Sequence, residues 1–532
     1  MALADDECAQ YEQAYLERAA GHFRYADDTH RHELTDVYAM LEAIARPDSP
    51  AAPEIPLDAA RLGATDPALA ARIRLPHKAP PSGPVPIHNA MREHNHLVLL
   101  GEPGAGKTTT LRFLARCFAD RTNALVRSRL ELDEQRVPIF LSLPGYDGSE
   151  ILGEALAREV ARIGQFAPEN APRSLDIARE LVQRWRESRR LILLLDALDE
   201  VPSGRQEGVR AAIRQYASLP GMGDCRLIVS SRHAGYVPLG PEWGTYEIKP
   251  FAGAEEARPF VEAWLRALGR KDPADDARTL LSAMEQQVGL RRVMGNALVL
   301  RMAAEVYATS EQIVTGRADL YDRYLKECWK RACARCKQDQ LDEQKSRLAL
   351  RTVAWELQKT GQAEESRLIT RLVQEHKDLQ RPRQWLEWVR LHMGLLAVVE
   401  TTAGGDTVLA FAHATFREYL VAERLKEAWQ TDRDAAWRFL RRRLHAPAWR
   451  EPILLLADAL GRDSEAETAA FVRGILRANS RYEAFLHRDA FLAAAILASG
   501  AKAGEPLRQT VACRLADLLL HARYDGVRWA AA

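Results

Sequence analysis

The sequence has almost no net charge, so its overall charge does not favour a partner of either sign. Its 74 Lys and Arg side chains are nearly balanced by 73 Asp and Glu side chains, which leaves a formal charge of +1 over 532 residues. This balance excludes a globally basic nucleic-acid binder and an acidic-tail protein, although it leaves room for a local basic patch. At about 150 residues per domain, the length predicts three or four compact units.

Long apolar runs and an N-terminal leader are also missing. The longest apolar stretches, residues 490–498 and 394–399, fall far short of the roughly 18–20 residues that span a bilayer. Residues 1–7 are MALADDE, with acids from position 5 and no apolar segment behind them, which excludes a secretory signal. We therefore expect a cytoplasmic protein with no membrane partner.

Cysteine is scarce, with seven residues in the whole chain. An odd, sparse set does not describe a disulfide scaffold. Cys333 and Cys336 form a C-x-x-C with Cys328 nearby, but no second Cys/His pair stands at ligand spacing. Because the surrounding segment 321–337 is helical and basic in pattern, we expect reduced helix cysteines there and no metal or redox site.

Apolar periodicity divides the chain into regions of different character. Residues 8–46 have apolar positions at three- and four-residue steps and are predicted to be helical. Ten of the 26 prolines fall in residues 47–86, which predicts a linker or wrapping arm. Short apolar runs then alternate with amphipathic segments, a pattern typical of a parallel sheet with crossover helices. These predicted strands are 96–100, 137–143, 191–195, 226–230 and 246–251.

After about residue 250 the predicted strands almost vanish, and Ala-, Leu- and Arg-rich amphipathic helices follow. A hairpin is predicted within 395–411. Residues 489–499 and 507–520 are predicted as paired short helices, and 525–532 resemble the opening helix of a HEAT-type repeat. Since a helix that stops there leaves Trp529 without a partner face, we expect either a truncated chain or a capping helix.

The strongest chemical signal is the P-loop motif G-x-x-x-x-G-K-[ST] at residues 101–108, between a predicted strand and a predicted helix. Its glycines allow backbone N–H groups to approach phosphates, and the helix N-terminus adds further donors. Lys107 is expected to reach the β- and γ-phosphates and Thr108 to bind Mg²⁺. The predicted nucleotide-binding positions in the loop are Gly101, Pro103, Gly104, Ala105, Gly106, Lys107, Thr108 and Thr109.

Two further strand ends complete the predicted site. Five apolar residues end in Asp196, a Walker B arrangement that would bring a Mg²⁺-binding carboxylate beside the P-loop. Asp199 and Glu200 follow and are candidates to orient or deprotonate the attacking water. The strand 226–230 leads into Arg232, which is expected to sense the γ-phosphate as a catalytic residue; an exposed surface arginine is the rival interpretation.

Missing motifs narrow the class of P-loop protein. There is no N-K-x-D guanine reader and no L-S-G-G-Q segment, which disfavours Ras-like GTPases and ABC ATPases. The predicted strand 137–143 lies between the two Walker motifs, unlike in simple nucleotide kinases. ATP is therefore the favoured nucleotide, with ADP and Mg²⁺ as the accompanying ligands.

At these residues the chain resembles the NACHT family, a branch of the STAND signalling NTPases found in animal inflammasome-type receptors and bacterial antiviral proteins. The specific mark is Asp196-Ala-Leu-Asp199-Glu200, in which a small residue follows the Mg²⁺ aspartate and two acids come three and four positions later. Segments 34–38, 99–109, 228–232, 248–251, 317–321 and 411–420 also resemble the family. The resemblance covers about residues 10–460.

The resemblance implies an α/β P-loop NTPase of the ASCE type, followed by all-α helical domains, a winged helix and a short HEAT-like C-terminus. The implied boundaries are an N-terminal helical segment (1–46), a Pro-rich linker (47–90), the NACHT domain (91–252), a helical domain (253–335), a winged-helix region (336–440) and a C-terminal helical region (441–532).

The resemblance also implies that His413 contacts the β-phosphate of bound ADP and locks a closed monomer. Thr415 and Glu418 have the spacing of a capping box, so His413 is expected just ahead of a helix N-terminus. Ala297 stands where the family usually has proline, which removes a rigid contact on the adenine side.

The implied function is a switch that binds ADP or ATP, opens and oligomerises with copies of itself on a trigger, and hydrolyses ATP slowly. Bacterial antiviral defence is the favoured setting, with a phage-derived protein as one kind of trigger and no direct nucleic-acid binding expected. A STAND transcriptional or signalling regulator and an ATPase that remodels a partner protein are the alternatives.

Overall fold

The structure is a computed structural model that describes residues 3–26, 32–46, 83–146, 148, 150–201, 204–233, 236–336, 342–379, 381–401, 406–524 and 526–528. The described residues up to Pro250 form one compact unit, and those from Phe251 onward form a second. The predicted Pro-rich linker lies almost wholly outside the described residues, as do the tip of the predicted hairpin and Trp529.

A seven-stranded sheet forms the centre of the first unit, in the spatial order β2-β1-β7-β3-β6-β5-β4. Strands β3 to β7 run parallel, whereas β1 pairs antiparallel with both β2 and β7. The strands are β1 (Glu42–Ala45), β2 (Val85–Pro86), β3 (His96–Leu100), β4 (Val137–Ser142), β5 (Leu191–Asp196), β6 (Arg226–Ser231) and β7 (Gly244–Ile248).

The strand order identifies the class of P-loop fold. The strand before the P-loop, β3, does not pair with the Walker B strand β5, because β6 lies between them. An extra strand in this position defines the ASCE-type parallel sheet that the sequence predicts. Every residue of β3, β5 and β6 is buried, as expected for strands covered on both faces.

The helices of the first unit are α1 (Asp5–His22), α2 (Leu34–Val37), α3 (Ile87–Glu93), α4 (Lys107–Phe118), α5 (Ala124–Leu130), α6 (Leu152–Gly164), α7 (Ala171–Glu187) and α8 (Gln206–Ala217). Helices α4, α6 and α7 pack on the sheet, and α1 packs against α4 and α6. Burial of one large apolar side chain in such a layer contributes about 1.5–3 kcal/mol.

The predicted helix over residues 8–46 is wrong at its C-terminal end. Helix α1 ends at His22, α2 is a short turn of helix, and residues 42–45 form the strand β1. Backbone groups of this strand pair with β7, from Ala43 with Ile248 to Ala45 with Tyr246. Pairing with a distant strand therefore overrides the local helical period.

Helix α1 is fastened to the sheet by polar contacts as well as by apolar packing. The buried Tyr15 hydroxyl donates to the carbonyl of Pro138 at 2.7 Å, and the Trp185 indole donates to Glu12 at 2.8 Å. Glu12 also pairs with Arg190 at 2.7 Å. The N-terminal helix is therefore an integral part of the first unit.

The second unit consists mainly of helices. They are α9 (Ala254–Ala267), α10 (Pro273–Gln286), α11 (Val288–Arg291), α12 (Ala297–Ser310), α13 (Arg317–Cys336), α14 (Glu343–Thr360), α15 (Glu365–Glu375), α16 (Pro382–Trp388), α17 (Ala414–Thr431), α18 (Arg433–Arg441), α19 (Arg450–Asp463), α20 (Glu465–Leu476), α21 (Glu483–Leu486), α22 (Arg488–Ala498) and α23 (Glu505–His521).

A winged helix lies within this unit. Helix α14 leads into strand β8 (Gln362–Glu364), helices α15 and α16 follow, and β9 (Leu396–Thr401) and β10 (Thr407–Phe411) complete a sheet of order β8-β10-β9. Strands β9 and β10 pair antiparallel, so the predicted hairpin is confirmed. The sequence analysis missed β8, which is only three residues long.

Packed helix pairs form the C-terminal part of the second unit. In the α19–α20 hairpin, the Thr468 hydroxyl donates to the carbonyl of Ala457 at 3.1 Å. Helices α22 and α23 pack together in turn, in agreement with the predicted pair of short helices. None of the helices in the described part of the chain has the length and apolar character needed to cross a bilayer.

Candidate functional site

The P-loop joins the end of β3 to the start of α4, where the motif requires it. Gly104 and Gly106 both have positive φ, at 77° and 100°, a conformation that glycine adopts without steric cost. Gly106 is the residue before the first turn of α4, so the free N–H groups of that turn point into the loop. The loop therefore has the backbone geometry that cradles phosphates.

Lys107 lies across this loop. Its ammonium group donates to the carbonyl oxygens of Gly101 at 2.6 Å and Glu102 at 3.2 Å. Burial lowers the pKa of Lys107, while Asp199 and Asp196 nearby act in the opposite direction. A partly desolvated ammonium group at this position is a strong electrostatic partner for phosphate oxygens.

The predicted metal-binding pair, Thr108 and Asp196, is brought together at the end of β5. The Thr108 hydroxyl donates to the buried Asp196 carboxylate. A hydroxyl and a carboxylate supply hard oxygen ligands of the kind that Mg²⁺ prefers. The two residues therefore fit a Mg²⁺ ion that keeps its other positions for phosphate and water.

Ser230 is a functional residue that the sequence analysis missed. Its hydroxyl donates to Asp196 at 2.5 Å and accepts from the backbone N–H of Ala197 at 2.8 Å. Burial raises the pKa of Asp196, and the hydrogen bond from Ser230 is the largest opposing contribution. The strand order could have revealed this role, because β6 neighbours β5 and ends level with it.

The two acids after Walker B and the predicted sensor arginine meet in one ion-pair cluster. The Arg232 guanidinium lies 2.8 Å from Asp199 and 3.2 Å from Glu200, and its backbone N–H donates to Asp199 at 2.9 Å. Both oxygens of Asp199 are thus engaged by Arg232. Asp199 positions the arginine, which leaves Glu200 as the better candidate for a base.

Glu200 differs from Asp199 in exposure. About half of its side chain is exposed, compared with 12% for Asp199. Partial desolvation raises the pKa of Glu200, the Arg232 guanidinium opposes that rise, and the charge of Asp199 adds to it. A carboxylate with a raised pKa accepts a proton from water more readily than an ordinary one.

The turn that carries these acids begins with an unusual backbone conformation. Ala197 has φ 63°, in the left-handed region, which costs a non-glycine residue about 1–2 kcal/mol. A short helical turn, Leu198–Glu200, follows directly. The sharp reversal places Asp199 and Glu200 beside Arg232 at the end of β6.

A segment of the N-terminal region covers one side of the P-loop. A Cβ atom placed on Gly106 would lie 2.8 Å from a methyl group of Leu41. The Tyr38 hydroxyl donates to Thr110 at 3.2 Å, and its ring stacks on Phe113 with centroids 3.9 Å apart. The segment that resembles the element ahead of NACHT modules is therefore packed against the phosphate-binding helix.

His413 lies in the second unit, immediately before helix α17. The predicted capping box at Thr415 is wrong, because the helix begins at Ala414 and His413 itself is the capping residue. The backbone leaves β10 in an extended conformation and turns into the helix two residues earlier than the spacing predicts. Contact of His413 with a nucleotide stays a prediction.

Two other sequence predictions concern the same unit. Ala297 is the first residue of α12, and the Asn296 side chain caps that helix by accepting from the N–H groups of Leu298 and Val299. Cys328 is buried and Cys333 is half-buried on α13. Within the described ranges, no group of three or more His, Cys, Asp or Glu residues is arranged to hold a metal ion.

No protein-family profile matches the chain, and no curated protein matches its sequence. A structure of Drosophila ORC bound to DNA is 15% identical with a TM-score of 0.25, covering 63% of this chain and 84% of that one. The crystal structure of CDC6P from Pyrobaculum aerophilum is 15% identical with a TM-score of 0.27, covering 72% and 99%. These similarities are too weak to assign a fold or a function. The fold class follows instead from the strand order of the sheet and the backbone geometry of the P-loop.

Proposed function

We propose that the chain is a nucleotide-dependent switch that binds ADP or ATP with Mg²⁺ and hydrolyses ATP slowly. The observation that carries this proposal is the ion-pair cluster in which Arg232 holds both Asp199 and Glu200 beside the P-loop. The loop supports nucleotide binding. The cluster supports slow basal hydrolysis, because both acids are occupied by a cation.

The γ-phosphate of ATP would compete with the two carboxylates for Arg232, since a guanidinium group forms paired hydrogen bonds with phosphate oxygens. Once Arg232 turns to the phosphate, Glu200 is released to act as a base. Glu200 takes a proton from water as the water oxygen bonds to the γ-phosphorus and the bond to the β–γ bridging oxygen breaks. The products are ADP and inorganic phosphate.

Mg²⁺ bound by Thr108 and Asp196 would neutralise the charge of the phosphate groups. Ser230 would keep the Asp196 carboxylate oriented toward Thr108. Lys107 would bind the β- and γ-phosphates. Each of these residues therefore has a separate task, and only Arg232 has a choice of partners that depends on whether a γ-phosphate is present.

The finer assignment to a NACHT-type switch is supported by the motif Asp196-Ala-Leu-Asp199-Glu200 and by the helices and winged helix that follow the P-loop unit. In this proposal His413 binds the ADP β-phosphate and stabilises a closed monomer, and ATP favours an open, self-associating state. The nucleotide shifts this equilibrium only by its differential affinity for the two states. Bacterial antiviral defence, with a phage-derived trigger, is the setting that the resemblance supports.

The first test identifies the nucleotide and its effect on assembly. The purified chain should elute as a monomer with ADP, and a non-hydrolysable ATP analogue with the trigger should give a larger species. Arg232→Ala should keep ADP binding but lose this response. Arg214→Ala, which removes an ion pair with Glu207 at 2.7 Å on the outer helix α8, serves as the matched control and should behave as the wild type.

The second test concerns the biological setting. A bacterium expressing the wild-type chain should resist some phages of a panel, and Lys107→Ala should lose that protection while its circular dichroism stays unchanged. Equal phage plating for both proteins would favour the regulator or the remodelling ATPase. Fast ATP turnover without any trigger would favour the remodelling ATPase in particular.

A further inference from the structure

The C-terminal helical region carries a strongly basic surface although the whole chain is nearly neutral. No Asp or Glu occurs in residues 435–450 or 468–482, whereas both stretches are rich in arginine. Apart from Arg450 at the start of α19, six of these arginines are exposed, and none of the six has an ion-pair partner within the described residues. This arginine patch comprises Arg438, Arg441, Arg442, Arg473, Arg477 and Arg481.

Helix packing brings the two stretches to the same end of the unit. Helices α18 and α20 run side by side in the same direction, with contacts from Arg433 to Glu467 near their N-terminal ends. Further along, the Trp437 ring would lie 3.2 Å from a Cβ atom placed on Gly474. At the C-terminal ends, Arg441 donates to the carbonyl of Ala478 at 3.0 Å.

The two acids that follow the second stretch, Glu483 and Asp489, are buried and already engaged. Asp489 is fully buried, pairs with His445 at 2.7 Å, and accepts from the N–H of Ser480 at 2.9 Å. Glu483 accepts from the N–H of Asp489 at 2.7 Å. These acids hold the 479–487 loop in place and do not neutralise the exposed guanidinium groups.

The same loop presents aromatic side chains to solvent. Tyr482 and Phe485 are 38% and 54% exposed, and the Arg481 guanidinium lies 4.7 Å from the centre of the Tyr482 ring. Three residues of the loop, Asn479, Tyr482 and His487, have positive φ between 48° and 67°. Strained backbone of this kind persists only where surrounding contacts hold it, and it is concentrated at binding sites.

We propose that the arginine patch and the two aromatic rings form a binding surface for single-stranded nucleic acid. Guanidinium groups bind phosphates in a paired geometry, and exposed aromatic rings stack with unpaired bases irrespective of sequence. An acidic peptide would use the arginines but would leave Tyr482 and Phe485 without a role, whereas an anionic membrane could use both and is distinguished by the test below. The surface belongs to the second unit and shares no residue with the nucleotide-binding loop, so the inference does not depend on the proposed switch.

The partial negative charges at these helix ends do not cancel the positive charge of the arginine patch. The C-terminal end of a helix carries roughly half a negative charge, so two such ends offset about one of the six arginines. Arg441 already donates to the carbonyl of Ala478 at the end of α20, so part of this negative charge is already paired with an arginine of the patch. The remaining guanidinium groups are free to bind phosphates, and the binding should weaken strongly with added salt.

The test uses the full chain and fluorescence anisotropy with a labelled single strand of about 20 thymidines. We expect the logarithm of the association constant to fall with the logarithm of salt concentration, with a slope of about −3.5 for five phosphate contacts. The variant R442Q/R473Q/R477Q should reduce the slope by about two and weaken binding at least tenfold. Y482A/F485A should weaken binding about tenfold or more without changing the slope.

Matched controls separate this surface from a general effect of charge. R266Q/R278Q/R383Q removes the same number of charges from exposed sites on other helices and should bind as the wild type. Lys107→Ala should also bind the oligonucleotide normally, whatever its effect on the switch. All variants should keep the wild-type circular dichroism.

Three results would overturn the proposal. Binding that is absent at low salt, or that R442Q/R473Q/R477Q leaves unchanged, would exclude the arginine patch. Equal affinity for a duplex of the same length, with no loss in Y482A/F485A, would exclude recognition of unpaired bases. Binding to phosphatidylserine vesicles without binding to the single strand would assign the surface to a membrane instead.

Discussion

The hydroxyl of Ser230 offers a sharp test of how the Walker B carboxylate is stabilised. Ser230→Ala removes the donor to Asp196 and the acceptor for the Ala197 N–H, both inside the protein. The next residue provides a matched control. Ser231 is also buried, but its hydroxyl donates only to the carbonyl of Arg232, at 3.2 Å.

The expected costs of the two substitutions differ clearly. A hydrogen bond to a charged group contributes about 1.5–3 kcal/mol, and leaving a buried N–H unsatisfied costs at least about 1 kcal/mol more. Ser230→Ala should therefore destabilise the sheet by about 2.5–4 kcal/mol. Ser231→Ala loses one neutral hydrogen bond and should cost about 1 kcal/mol or less.

The cost of Ser230→Ala should also depend on pH in a defined direction. Burial raises the pKa of Asp196, and Ser230 opposes that rise by stabilising the ionised form. The contribution of Ser230 is therefore fully present at neutral pH. It should shrink as the pH falls toward the raised pKa of Asp196, which lies above the ordinary value of about 3.9, because the variant takes up a proton earlier than the wild type.

Amide hydrogen exchange of the β5 and β6 peptides measures this effect locally, since it reports the opening free energy of each element. At pH 7.5, Ser230→Ala should raise the exchange rates by a few hundredfold and Ser231→Ala by about fivefold, at about 1.4 kcal/mol per tenfold. Measurements corrected for intrinsic rates at successively lower pH should show a gap that narrows as Asp196 is protonated. Equal effects of the two variants, or a gap that does not change with pH, would refute the reasoning.

Three further substitutions test other parts of the first unit. Ala197→Gly should stabilise the chain by about 0.5–1 kcal/mol, because relief of the left-handed strain exceeds the entropy cost of glycine; a lower thermal midpoint would contradict this. Gly106→Ala should abolish nucleotide binding, measured by calorimetric titration, since φ is 100° there and the new Cβ would meet Leu41; binding like that of the wild type would show that the loop tolerates a side chain. Glu12→Ala should destabilise the first unit by about 2–3 kcal/mol, because it leaves the buried indole N–H of Trp185 without a hydrogen-bond acceptor. An unchanged urea midpoint would show that α1 contributes little to stability.

Much of the first unit was predictable because its strands are short, fully buried and apolar. Residues 96–100 were predicted with the bounds of β3, and the predicted end of 191–195 differs from that of β5 by the single residue Asp196. The P-loop was equally clear, since its glycines are required locally by the positive φ values of the turn. Such features depend on residues that are close together in the sequence, so they can be read from the sequence directly.

Prediction failed where distant residues decide the conformation. Residues 42–45 have a helical apolar period but pair as β1 with a strand some 200 residues later. The role of Arg232 as a phosphate sensor stays a prediction, but its pairing with Asp199 and Glu200 was not foreseen, because it depends on two strand ends meeting across the sheet. Ser230 carried no signal of its own, because a serine at a strand end becomes important only when its neighbour is Asp196.

The sequence by itself determined the chemistry of this protein: a phosphate-binding loop, a Mg²⁺-binding pair, two acids and an arginine at strand ends, and a series of amphipathic helices. Only the tertiary structure decided which of these groups touch. The near-zero net charge illustrates the difference, since six arginines from two separate stretches become one basic surface only through the parallel packing of α18 and α20. Composition sums charges over the whole chain, whereas a binding partner meets only those that folding brings together.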